Sequence, residues 1–182
     1  MENFRLDTAD YPQELAGGLE AIRREYGIRF DGGDRRLIFK SDQSLLPGGL
    51  AVTVRDGEIT VGYARKGDAF RALGRLLGQE ELQSFAETSG FDMQGVMFDV
   101  SRNGVLTVKA AKALLLRCAL MGINTAMLYS EDTYEVPGEP FFGYLRGRYS
   151  LEELHEIDDY AFSMGVEVVP CLRPLQILKA SF

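Results

Sequence analysis

The sequence predicts an α/β fold in which a small α+β layer precedes a parallel βαβαβ unit, and three observations predict it. Two alternating runs in the first half flank the turn-forming pair Asp56-Gly57. Three near-continuous apolar runs follow in the second half, and a helical pattern separates each from the next. A strand buried on both faces has no polar side to show, so the loss of alternation marks a change from a half-exposed sheet to a covered parallel one.

In the first half, Asp10 is placed to cap a helix with Pro12 in its first turn. Leu15, Leu19, Ile22 and Tyr26 then recur at helical spacing until Gly27. Arg36 to Lys40 reads as a short strand. Leu50 to Arg55 and Glu58 to Tyr63 form the hairpin arms, setting Val52 and Val54 opposite Ile59 and Val61. Phe70, Leu73, Leu76 and Leu77 mark a second helix that Gly78 ends. Residues 1–85 thus read as one α+β domain whose helices cover one sheet face.

After the polar stretch Gln79 to Gln94, residues 90–182 follow a different pattern. Gly95 to Arg102 is a strand. Val105 to Met121 is an apolar helix with a polar stripe of Lys109, Lys112 and Arg117, and Ile123 to Tyr129 is a second strand. The acidic pair Glu131-Asp132 and a loop rich in Gly, Pro and aromatic residues come next. Ser150 and Glu153 form a capping box for a helix carrying Leu151, Leu154, Ile157, Ala161 and Met164 on one face; Val166 to Leu172 is the third strand. No Gly-x-Gly-x-x-Gly follows a strand, and Ser101-Arg102-Asn103-Gly104 is too poor in glycine to cradle a phosphate, so a nucleotide site has no support.

Composition narrows the function further. At 46% hydrophobic and 26% charged, the 182 residues are those of a soluble globular protein. A net charge of -7 disfavours nucleic acid, since Arg102, Arg146 and Arg148 are the nearest approach to a basic cluster; a neutral, hydroxyl-rich ligand suits this balance better. Cys118 and Cys171 lie in apolar runs and read as small buried hydrophobes, and His155 reads as a surface residue. No metal constellation and no cofactor is implied. The first residues lack a basic-then-apolar leader and no run approaches the ~20 apolar residues of a membrane span, which predicts a cytoplasmic chain without a membrane partner.

Three blocks, in the same order, carry a family resemblance. Phe98-Asp-Val-Ser-Arg-Asn103, Met127-Leu-Tyr-Ser-Glu-Asp-Thr-Tyr-Glu-Val136 and Phe141-Phe-Gly-Tyr-Leu-Arg-Gly-Arg-Tyr149 resemble bacterial family 20 glycoside hydrolases, the β-N-acetylhexosaminidases, of the cytoplasmic exo-acting type. The resemblance is strong over residues 90–171 and looser before them. It implies that residues 1–85 are the small domain preceding a (β/α)8 barrel, and that residues 90–182 are the first three strands and two helices of that barrel, left incomplete. It also implies retaining removal of terminal N-acetylglucosamine or N-acetylgalactosamine from glycans, with the substrate's own acetamido oxygen as nucleophile. The family's Asp-Glu pair, which polarises the acetamide and protonates the leaving oxygen, follows the fourth strand and lies beyond residue 182. The resemblance therefore implies a truncated hydrolase that is inactive alone.

Carried over residue by residue, Arg102 matches the family arginine that binds sugar hydroxyls, and its planar fork of donors suits a vicinal diol. It stands at the C-terminal end of the first strand, the end at which barrel enzymes build their sites. Alternation puts Asp99 and Ser101 on one side and Val96, Phe98 and Val100 on the other, so Arg102 must leave the strand register to point inward. Glu131 and Asp132 fill the acidic position after the second strand, near the mouth of the site; parity leaves open which one turns inward. Tyr134, Phe141, Phe142, Tyr144 and Tyr149 read either as a sugar-stacking platform or as the packing of a long loop.

The departure comes at the third strand. Val-Glu-Val-Val-Pro170 fits, but the family's Gln-Thr segment ending in His is replaced by Cys171 to Phe182, which reads as a premature end from a frameshift or a split gene. Three strands cannot close a ring. An inward face carrying Met97, Thr125 and Met127, with a free strand edge, predicts self-association or a complementary chain. The competing reading is a non-catalytic carbohydrate-binding or partner-assembly module.

Overall fold

The computed structural model describes residues 4–27, 33–102 and 104–172. In chain order these form β1 (Phe4–Arg5), α1 (Ala16–Tyr26), β2 (Arg35–Ser41), β3 (Gly49–Arg55), β4 (Glu58–Tyr63), α2 (Lys66–Leu77), β5 (Phe85–Thr88), β6 (Gly95–Asp99), α3 (Val108–Met121), β7 (Thr125–Ser130), α4 (Leu151–Phe162) and β8 (Glu167–Leu172). The strands make a five-stranded sheet, ordered β1-β2-β4-β3-β5, and a three-stranded sheet, ordered β6-β7-β8.

In the five-stranded sheet β1, β2 and β4 run parallel while β3 runs antiparallel to both β4 and β5. The hairpin register is the one expected: Val52 lies opposite Val61, Val54 opposite Ile59, and Arg55 opposite Glu58 across Asp56-Gly57. Only Gly57 of the pair takes a positive φ, 73°. Two strands escape the sequence reading. β1 is two residues long and β5 lies inside the polar stretch after α2, where no alternation announces it. Pairing with β3 makes β5 a strand, and Arg75 secures it by stacking 4.2 Å from the Phe85 ring and pairing with Glu87.

Asp10 requires a correction. The α1 helix begins six residues later, after two 3-10 turns, and Asp10 ends the first of them. Its carboxylate is 2% exposed and accepts Arg36 Nε at 2.9 Å and Nη2 at 2.5 Å, together with the Asp7 N–H at 3.0 Å. These bonds satisfy a buried charge that would otherwise be costly. The caps of the later helices are as read: Ser150 and Glu153 exchange bonds of 2.9 and 3.1 Å at the start of α4. Gly27 and Gly122 end α1 and α3 in left-handed conformation. Leu151, expected on the buried face of α4, is instead 65% exposed in its first turn.

The helices lie between the two sheets. On one side α2 contacts β3 and β4; on the other it packs against α3, which meets α4. The contact between α2 and α3 is close enough to require glycine: a Cβ on Gly74 would stand 2.0 Å from the Leu120 carbonyl oxygen. Gly18 of α1 rests on Phe70 and Met164 in the same way. One hydrophobic core consequently runs through both sheets' helices, from Phe4, Leu37 and Val61 to Leu116, Ala126 and Ile157.

The three-stranded sheet is parallel throughout, with Met97, Met127 and Val169 in register. One face, bearing Phe98, Ala126, Leu128 and Val168, meets the helices. The opposite face carries Met97, 53% exposed, with Met127 and Cys171 half-buried; Cys171 is thus less enclosed than its apolar run suggests. Among the described residues no helix is long and apolar enough to cross a membrane.

Candidate functional site

The candidate residues gather where β6 and β7 end. Parallel strands bring their C-terminal ends to one edge of the sheet, so residues distant in sequence meet there. The last rung of the open face is Asp99, Tyr129 and Cys171. Beyond it the chain leaves β6 through Val100, whose N–H bonds the Tyr129 carbonyl at 3.0 Å, and Ser101, which is fully buried.

β6 ends at Asp99, short of the expected strand end, so Arg102 lies beyond the strand. Its side chain is 75% exposed, and Nε lies 3.7 Å from Asp99 Oδ2. Asp99 accepts the Ser101 hydroxyl at 2.7 Å and the Ser101 N–H at 3.0 Å. Those two bonds, with the nearby Arg102 charge, hold its carboxyl below the usual carboxylate range. Asp99 is therefore an anion at neutral pH, and it keeps the guanidinium of Arg102 close.

Glu131 and Asp132 do not meet Arg102; Arg146 holds them. Its Nη1 lies 3.2 Å from Asp132 Oδ1 and 3.9 Å from Glu131 Oε2, and it donates to the Ser101 carbonyl at 2.7 Å. One cation thus ties the exit of β6 to the exit of β7. The Tyr129 hydroxyl donates to Glu131 Oε1 at 3.4 Å. Tyr129 belongs to the open face, so this contact joins Glu131 to that face. The returning loop crosses the backbone of Asp132 closely: a Cβ on Gly143 would stand 2.1 Å from the Asp132 carbonyl oxygen.

Arg146 was not singled out as a site residue from sequence. Its only signal is its place in an Arg-Gly-Arg at the end of a loop, and the loop's return path brings it 45 residues back to Ser101. The loop closes with a bridge between Tyr134 and Tyr149, whose hydroxyl donates to the Leu106 carbonyl at 2.6 Å. Burial pushes the Tyr149 hydroxyl's pKa up, as befits a donor that stays protonated. His155 is exposed, and among the described residues no group of His, Cys, Asp and Glu is arranged to hold a metal ion. The assembled cluster offers guanidinium donors and carboxylate acceptors side by side, the combination that binds hydroxyls in pairs.

No protein-family model and no curated protein matches the sequence. Solved structures do match the fold. The exo-β-N-acetylglucosaminidase of family 20 from Vibrio harveyi, solved with N-acetylglucosamine, superimposes with a TM-score of 0.72 at 19% identity over 93% of this chain and 32% of its own. The β-N-acetylhexosaminidase of Bacteroides fragilis gives 0.68 at 20% identity, over 93% of this chain and 40% of its own. That of Streptomyces coelicolor gives 0.65 at 20%, over 93% and 41%. At such identities the likeness is one of fold, and this chain spans between about a third and two fifths of the length of those proteins. The fold resemblance read from three sequence blocks thus holds in three dimensions: this chain is similar in fold, over 93% of its length, to part of the family 20 β-N-acetylhexosaminidases.

Proposed function

We propose that this chain is the portion of a retaining exo-β-N-acetylhexosaminidase that recognises the non-reducing-end sugar, and that it does not hydrolyse glycosides by itself. The observation that carries the reading is the cluster of Arg102, Asp99, Glu131, Asp132 and Arg146 at the C-terminal ends of adjacent parallel strands. That is the edge at which a barrel places its site. In this reading Arg102 grips the hydroxyls of a terminal N-acetylhexosamine, Asp99 orients the guanidinium, and Glu131 receives a sugar hydroxyl beside Tyr129. Residues 1–85 correspond to the small domain before the barrel, and β6, α3, β7, α4 and β8 to its first strands and helices. The Asp-Glu pair that the resemblance implies is not assigned among these 182 residues.

Two measurements test this. The chain alone should release no aryl alcohol from an aryl N-acetylglucosaminide, and measurable turnover would overturn the assignment of chemistry to absent carboxylates. In a barrel restored to full length, Arg102→Ala should lower kcat/KM by about one to three orders of magnitude, because charge-assisted bonds in a desolvated site are lost. Lysine should rescue poorly for want of the fork. Unchanged kinetics in a folded Arg102→Ala variant would remove the residue from the site and favour the non-catalytic module instead.

A further inference from the structure

The three-stranded sheet has a concavity on its helix-facing side, away from the open face. It measures about 270 Å3 and lies where the ends of β7 and β8 meet α4 and the loop that returns to Tyr149. Leu128 of β7, Val168 of β8, Leu154 of α4 and Val100 after β6 make its walls apolar. Val100 is fully buried and Leu128 is 6% exposed, so the hydrophobic core itself sets these walls.

One group is out of keeping with such walls. Thr133 is fully buried and lines the cavity, yet its hydroxyl has no hydrogen-bond partner among the described residues. A buried hydroxyl left unpaired is destabilising, and folded proteins hold few of them. Tyr149, also on the lining, donates its hydroxyl to the Leu106 carbonyl instead, at 2.6 Å. Ser130, 8% exposed, brings a second hydroxyl to the lining. His155 and Asp158 also border the cavity, but both are exposed, so its buried part offers hydroxyls and no charge.

These features select a ligand. Water suits the space poorly, because each molecule needs about two to four polar partners and most of the wall supplies none. An apolar cavity of about 150 Å3 takes one benzene molecule, so this larger one has room for a ring with a short alkyl chain. A charged ligand would lose its hydration against these walls and gain no buried counter-charge. We propose that the cavity binds a small neutral alcohol or phenol, its apolar body against Leu128 and Val168 and its oxygen paired with the Thr133 hydroxyl. This stands independently of the function proposed above. Ser130 and Thr133 flank Glu131 and Asp132 in the chain, so the cavity and the charged cluster share one stretch of backbone.

NMR of the Val100, Leu128 and Val168 methyl groups, titrated with 4-ethylphenol and with ethylbenzene, tests the assignment. Both probes should shift these methyls and reach saturation. Thr133→Val keeps the shape and removes the unpaired hydroxyl, so the variant should melt no lower than the parent. It should bind 4-ethylphenol about fivefold more weakly and ethylbenzene no more weakly, the difference expected of one hydrogen bond. Val168→Phe fills the cavity and should abolish both titrations. An equal loss for both probes in Thr133→Val, or a loss for neither, would overturn the pairing with Thr133 and with it the proposed ligand class. Methyls that neither probe shifts would overturn the cavity as a binding site. Shifts confined to Met97 and Met127 would put the probes on the open face and overturn it equally.

Discussion

The two sheets of this chain each turn one face to the helices and differ in what the other face carries: Lys40, Thr53 and Arg55 are exposed on the five-stranded sheet, Met97 on the three-stranded one. The five-stranded sheet has β4 hydrogen-bonded on both sides and a helix-facing surface of Leu37, Ile59, Val61 and Leu50, each at most 1% exposed. The three-stranded sheet is parallel, a type that ordinarily has both faces covered, yet its face with Met97 is open. Leu172 at the end of β8 is 48% exposed. Among the described residues β6 and β8 each have one partner, β7. The central strands β4 and β7 are each six residues long, so the number of paired neighbours around them and not strand length separates the sheets, and stability should be distributed accordingly.

The largest expected effect lies where the two halves touch. Gly74→Ala drives a methyl group into the Leu120 carbonyl, and the packed helices cannot yield without parting. It should cost about 3 kcal/mol, a fall in Tm of roughly 9 °C by calorimetry. A variant that melts with the parent would mean that α2 and α3 separate freely and that the halves are held by something else.

Hydrogen exchange should show the next largest difference. Amides of Ile59 and Val61 should exchange at least about 100-fold more slowly than those of β6 and β8, since the latter have one paired neighbour each and open without disturbing the five-stranded sheet. Equal protection in both sheets would show that the open sheet unfolds only globally, and the contrast would fail.

The buried pair of Asp10 and Arg36 sharpens the comparison through pH. The hydrogen bond from Arg36 is the main force holding the Asp10 carboxyl below its ordinary pKa. A carboxyl lowered in the folded state contributes stability above the unfolded value, about 4, and loses that contribution as pH falls through the lower folded one. Asp10→Asn should therefore lower Tm by roughly 5 °C at pH 7, and the gap to the parent should close in acid below pH ~4. A gap that stays constant down to pH 2 would assign the loss to packing.

The smallest effect on stability should come from the open face. Met97→Ser removes a side chain that is 53% exposed and should change stability by less than about 0.5 kcal/mol. If that face is where copies meet, light scattering should nonetheless record a lower mass for the variant than for the parent at equal concentration. Unaltered scattering would move the association elsewhere.

The sequence by itself determined what local rules control. Gly27 and Gly122 end helices because glycine tolerates the left-handed conformation, Ser150 and Glu153 start one by satisfying its first N–H groups, and Asp56-Gly57 joins two strands at the expected register. Three apolar runs separated by helices sufficed for the parallel sheet and for Arg102 at its end. Tertiary structure decided what depends on partners far away in the chain. Asp10 looks like a cap until Arg36, 26 residues on, takes its carboxylate. Phe85 to Thr88 has no strand signal until β3 offers an edge, and Leu151 looks buried until the fold leaves nothing above it. The site divides along the same line: that Arg102 follows the first apolar strand closely is a matter of neighbouring residues, legible in the sequence. That Arg146 and not Arg102 holds Glu131 and Asp132 depends on where a loop returns, and no spacing of residues encodes the path of a loop.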